Sequence, residues 1–220
     1  MDVVKLVKDK RFINMALILL FTSMALNFPF PHEYPYGETV ATALHIPLQT
    51  EGIKYVGIAI ILFLFAGLYF LVKSLNKYHG RFVLIAIILA FSIPHVAASA
   101  FQKTLAKGIY AISYESESSS CSFEMTDETT LYGICELLFE NYSNHEVQFT
   151  FDFYEKEDDL SMLSLMNNHV PYEVKVKGNE RERVKIEKKI DVSHMKNFVG
   201  EGESAFMSII IMSGEKSRKL

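Results

Sequence analysis

Hydrophobic residues follow two rules along this chain, and the rule changes near residue 102. Before it, the apolar positions form long unbroken runs: "FINMALILLFTSMALNFPF" from Phe12 to Phe30, "IKYVGIAIILFLFAGLYFLV" from Ile53 to Val72 and "FVLIAIILAFSIPHVAASAF" from Phe82 to Phe101. Each is close to the roughly 20 residues that a helix needs to cross a hydrocarbon core. The only charge within them is Lys54, at an end from which its ammonium can reach the interface. The pattern predicts a flank at 1–11 and a membrane region at 12–102 with three spans at about 12–30, 53–72 and 82–101. The first run has a competing reading as a cleaved signal peptide, with Ser23-Met24-Ala25 as a small-x-small site. Apolar character continuing to Phe30, and two further runs behind it, favour an uncleaved anchor.

After residue 102 the period becomes two. In "VQFTFDFY", Val147, Phe149, Phe151 and Phe153 alternate with Gln148, Thr150, Asp152 and Tyr154. "YEVKVKG" and "RVKIEKKIDV" repeat the alternation, as strands with one buried face do. "AFMSIIIM", from Ala205 to Met212, is apolar on both faces and reads as a central strand. "ENYSN", "KGNE" and "VGEGE" read as turns, and "EDDLSMLSLMNN" as a short helical turn or packed loop using Leu160, Leu163 and Met166. About six or seven short strands result, the pattern of an antiparallel β-sandwich. Over the segment 103–220 this spacing resembles the immunoglobulin-like class, although the chain has no tryptophan to place on a buried strand.

Charge adds an orientation. Lys5, Lys8, Lys10 and Arg11 precede the first run, and Lys73, Lys77 and Arg81 separate the second from the third. Lys54, Lys103 and Lys107 flank the opposite side, so the positive-inside rule puts the N-terminus in the cytoplasm and the β-rich segment outside the cell. The net charge of −4 argues against a nucleic-acid partner. The implied partners are the lipid bilayer and a protein in the membrane or envelope. Basic residues gathered between Lys175 and Lys196 read as the wet face of strands before a lipid- or polymer-binding stripe.

Candidate chemistry is sparse. Cys121 and Cys135 are the only cysteines, too few for a four-thiolate zinc site. With "TDETT" as a turn centred on Glu128, Met125 falls opposite Leu131, Phe123 opposite Gly133 and Cys121 opposite Cys135, which predicts a structural disulfide outside the cell. Pro94-His95 is the one intramembrane oddity, because an ionisable group there needs a partner and proline should kink the helix; His95 reads first as reaching interfacial water from the outer third of the span. His32, Glu33 and His45 lack metal-site spacing and read as solvated. His145, His169 and His194 are dispersed, and the acidic residues Glu155, Glu157, Asp158 and Asp159 crowd one loop. Asn141-Tyr142-Ser143 is a glycosylation sequon expected to be exposed. No catalytic, metal or cofactor residues are assigned. The expectation is a multi-pass, non-enzymatic membrane protein presenting its sandwich for binding or assembly. The alternative is an accessory subunit of a transporter, export or envelope complex that acts through its helices.

Overall fold

A computed structural model describes residues 6–32, 34–50, 53–154, 163–167, 171–193, 195 and 201–220. The chain divides into two compact units, Met1–Ala100 and Phe101–Leu220.

The first unit is helical. The α1 helix (Lys10–Leu26) starts at Asp9, whose carboxylate accepts from the Arg11 backbone N–H at 2.8 Å, and it stops at Asn27 just ahead of Pro29. The short α2 helix (Tyr36–Ala43) follows Pro35, whose fixed φ suits an N-cap. A small hairpin, β1 (Gln49–Thr50) with β2 (Ile53–Lys54), leads into α3 (Tyr55–Ser74) and then α4 (His79–Thr104). Two of these, α3 and α4, are long and apolar enough to cross a membrane, whereas α1 has 17 residues. The α4 helix continues through Pro94.

Helices α1 and α3 pack antiparallel. The Lys8 N–H donates to Ser74 O at 2.7 Å at one end, and Ser23 Oγ donates to Ile60 O at 3.0 Å toward the other. Between them Ala16, Leu20, Leu68 and Leu71 form a buried seam. Gly67 sets the approach, because a Cβ there would lie 2.8 Å from Leu20 Cγ and 3.1 Å from the Leu20 backbone nitrogen. A small residue that admits the neighbouring backbone is the usual way for apolar helices to associate.

The second unit is built from antiparallel sheets. Its strands are β3 (Ile112–Tyr114), β4 (Ser120–Met125), β5 (Thr130–Asn141), β6 (Val147–Tyr154), β7 (Tyr172–Val176), β8 (Arg181–Asp191), β9 (Glu201–Ala205), β10 (Ser208–Ser213) and β11 (Lys216–Lys219). One sheet runs β11-β10-β6-β7. In the other, β5 pairs with β8 along one edge and with β4 and then β3 along the opposite edge, while β9 adds to β4. Both sheets contribute to one hydrophobic cluster. Phe139 of β5 meets Phe149 and Phe151 of β6 at ring-centroid distances of 5.3 and 5.9 Å. The alternation read for "VQFTFDFY" holds, with all four odd-numbered side chains buried.

Two sequence expectations are corrected here. "AFMSIIIM" is not one strand: Ala205 ends β9, Phe206 turns with φ 55°, and β10 begins at Ser208. Glu201–Glu203 of "VGEGE" belong to β9 instead of a turn, because backbone pairing with β4 extends them. The helical turn expected after β6 is a 3₁₀ turn at Ser164–Asn167, with Leu163 and Met166 buried; Leu160 lies outside the described residues.

Arg218 closes this unit. It is only 5 % exposed, and its Nη1 lies 3.2, 3.4 and 2.6 Å from the carbonyl oxygens of Ile109, Tyr110 and Ile112. Burial pushes its pKa down to about 10, so the guanidinium stays charged at neutral pH and its donors satisfy a cluster of backbone acceptors. The last strand is thereby tied to the residues where the unit begins.

Replacing Gly67 with valine should lower thermal stability in detergent by about 1–3 kcal/mol, the usual range for overpacking. Gly57→Ala, where a Cβ meets nothing within 4 Å, should not lower stability, since alanine is the better helix former. Equal melting of both variants would contradict the close approach of α1 and α3.

Candidate functional site on the outer face of the disulfide-bearing sheet

The β4–β5 hairpin has the register that its sequence specifies. Met125 pairs with Leu131, Phe123 with Gly133 and Cys121 with Cys135. The turn is held by Asp127, whose carboxylate accepts from the Thr129 N–H at 2.9 Å and the Thr129 hydroxyl at 3.0 Å; these bonds lower its pKa. The cysteine sulfurs lie at disulfide distance, 1.90 Å, and both residues are buried in the cluster. Gly133 leaves room for its neighbours, since a Cβ there would stand 2.8 Å from Met166 Sδ.

Period two then fixes what the same strands show to solvent. Opposite residues share a face, so three rows cross the sheet from β9 to β8. Glu201, Glu124, Tyr132 and Lys189 form the first; Glu203, Ser122, Ile134 and Glu187 the second; Ala205, Ser120, Glu136 and Lys185 the third. A hollow of about 460 Å³ lies over the first two rows, lined by Ser122, Phe123, Glu124, Tyr132, Ile134, Glu201, Gly202 and Glu203.

The electrostatics of this face are graded. Toward β8, Arg183 pairs with Glu136 at 3.1 Å and Lys185 with Glu187 at 2.6 Å. The Tyr132 hydroxyl donates to Glu187 at 2.7 Å, which raises the phenol's pKa, while Lys185 and Tyr132 together lower that of Glu187. Toward β9, no described cation pairs with Glu124, Glu201 or Glu203. The hollow therefore combines a carboxylate rim with a fixed aromatic ring and one aliphatic side chain. That set can recognise a cationic or amphipathic segment by ion pairing and ring contact. Among the described residues, no group of three or more His, Cys, Asp or Glu could hold a metal ion.

The remaining singled-out residues are dispersed. Pro94 lies in the buried stripe of α4 with Ala90 and Ala98, whereas His95 is exposed beside it. His32 stacks on Tyr34 at 4.8 Å, His45 takes φ 57° just after α2, and His145 is exposed. Glu33, His169, His194 and the acidic run Glu155–Asp159 lie outside the described residues. The sequon expectation is corrected: Asn141 is fully buried, its Nδ2 donating to His145 O at 2.9 Å and Val176 O at 3.0 Å. A glycan on that nitrogen is incompatible with this packing. Lys188, read as part of a wet strand face, donates to Met166 O at 2.8 Å and sits 5.8 Å over the Tyr172 ring; burial lowers its pKa.

Sequence reasoning did not find the hollow. Its acidic wall is β9, whose "EGESA" carries no large apolar residue to mark a strand.

Native, unreduced protein should present no thiol to an alkylating reagent, and replacing both cysteines with alanine should cost about 3 kcal/mol, the chain-entropy value for a loop of this size. Labelling of two thiols per chain, or an unchanged denaturation midpoint in the double variant, would refute the staple.

Searches against protein-family profiles, curated protein sequences and solved structures found no match to this chain.

Proposed function

We propose that this chain is a multi-pass membrane protein that holds a non-enzymatic β-sandwich outside the cell for binding or assembly. The observation that carries the reading is the surface of the helices. Phe21 of α1 is 72 % exposed, Phe65 of α3 64 % and Val96 of α4 66 %, and each stands among other exposed aliphatic residues of its helix. Apolar patches of this extent are not left to water. They appear on α1 as fully as on α3 and α4, which supports three spans, and 17 residues lies at the short end of what crosses a bilayer. The distribution of Lys and Arg supports an orientation with the N-terminal flank and the α3–α4 link inside.

Strand order supports the immunoglobulin-like reading of the second unit. In β11-β10-β6-β7, the order matches the G-F-C-C′ sheet of that class, and β4-β5-β8 matches its A-B-E strands. The extra strand β9 lies on the connection between the E-like and F-like strands. The cysteine pair at bonding distance suits an oxidising compartment. The hollow beside Tyr132 is the surface offered to a partner.

Single cysteines at Lys77 and Glu128, with the native pair intact, test the topology. A membrane-impermeant maleimide should label Glu128→Cys on intact cells, and Lys77→Cys only after permeabilisation. The reverse pattern would invert the orientation, and labelling of both on intact cells would rule out the three-span arrangement.

A further inference from the structure

The disulfide-bearing sheet ends in two strands of opposite character. Along the path β8-β5-β4-β9, every neighbour is antiparallel, and β8 and β9 are the two ends. No described residue outside the sheet makes a backbone hydrogen bond to Glu201–Ala205, or to Arg181–Lys185 on the side away from β5. Exposed edges of this kind invite another strand, and charge on an edge normally wards it off. On the outer face the charges differ in sign: β9 carries Glu201 and Glu203, whereas this half of β8 carries Arg181, Arg183 and Lys185, with Glu182 on the opposite face.

We propose that β9 of one copy pairs with β8 of a second copy, continuing the sheet from chain to chain. Direction permits it. Four alternating strands leave β8 and β9 running oppositely, so a second copy set alongside without inversion brings the two edges together antiparallel. The outer faces then remain on the same side. One register satisfies the charges: Glu203 opposite Arg183 and Glu201 opposite Lys185, with Ala205 opposite Arg181. The alternate positions also match, since Gly202 leaves space opposite Val184, and the Ser204 hydroxyl can donate to Glu182. Arg183 and Lys185 already meet Glu136 and Glu187, but their side chains remain 52 % and 53 % exposed, so each can accept a second carboxylate. A two-fold pairing of β9 with itself is disfavoured, because it sets carboxylates against carboxylates. The contact is head-to-tail, so it builds rings or open arrays instead of closed dimers. It extends the assembly role proposed above but needs only the sheet, and the placement of the helices in a bilayer can fail independently.

Charge reversal on the full chain in detergent tests this, with association followed by analytical ultracentrifugation. The native chain should associate with concentration and lose association as salt rises. E201K/E203K and R183E/K185E should each associate about tenfold more weakly, the effect of turning two cross-strand attractions into repulsions. An equimolar mixture should regain native association, because each variant then offers the edge that the other lacks. A native chain that is monomeric throughout would overturn the proposal. So would reversals that associate like the native chain, or a mixture that fails to recover while both variants keep native circular dichroism. If a reversal unfolds the chain, the neutral changes Glu203→Gln and Arg183→Gln replace it, and native-strength association in both would overturn the proposal equally.

Discussion

Phe139, Phe149 and Phe151 lie ring against ring between the sheets of one unit, while Phe21, Phe65 and Phe91, equally apolar, stand exposed on the helices of the other. Removing apolar surface from water is worth about 25 cal/mol per Å², so both sets must be covered by something. In the β-rich unit the cover is internal, supplied by the facing strands. In the helical unit α1 and α3 cover a seam against which Phe82, Val83, Ala86 and Ile87 of α4 also pack, and much of the remaining apolar surface stands exposed. The functional reading follows from this difference in how the same physical demand is met.

Polar groups buried in the β-rich unit are placed where the apolar cluster meets irregular backbone. Arg218 gathers the carbonyls of Ile109, before β3, and Ile112, at its start, and Asn141 ties the β5–β6 loop to the end of β7. Lys188 spans from β8 to the 3₁₀ turn at Ser164–Asn167. Each bond gives a side-chain donor drawn out of water a partner, and a buried polar group left without one costs about 1–3 kcal/mol. These residues define how the sheets close and leave the outer face of β4, β5, β8 and β9 available for recognition.

How far this was legible depends on what each residue does. The β4–β5 register could be read because "TDETT" is polar, the flanking apolar residues alternate, and one slip would move every side chain to the wrong face. The β6 alternation was legible for the same reason. By contrast, "EGESA" forms β9 through pairing with β4 and has no apolar stripe of its own. Phe206 interrupts an apolar run by adopting φ 55°, which hydropathy does not encode. Lys188 reads as a solvated charge, and nothing in its spacing marks Arg218; the burial of both depends on tertiary acceptors that sequence spacing does not reveal. The hollow, whose wall is β9, was hidden with it. The helices were visible as apolar runs, but their ends shifted: α1 stops at Leu26, four residues short of Phe30, where prolines replace the backbone donors a helix needs.

Depth and accessibility of the helix surfaces test the account most directly. Nitroxide labels at Phe21, Phe65 and Val96, one per chain, can be relaxed in lipid bilayers by oxygen, which concentrates in hydrocarbon, or by a water-soluble nickel chelate. The account predicts that oxygen relaxes all three strongly and the chelate hardly at all. Strong relaxation by the chelate at these positions would mean that the exposed faces of α1, α3 and α4 meet water, which contradicts a membrane-embedded helical unit.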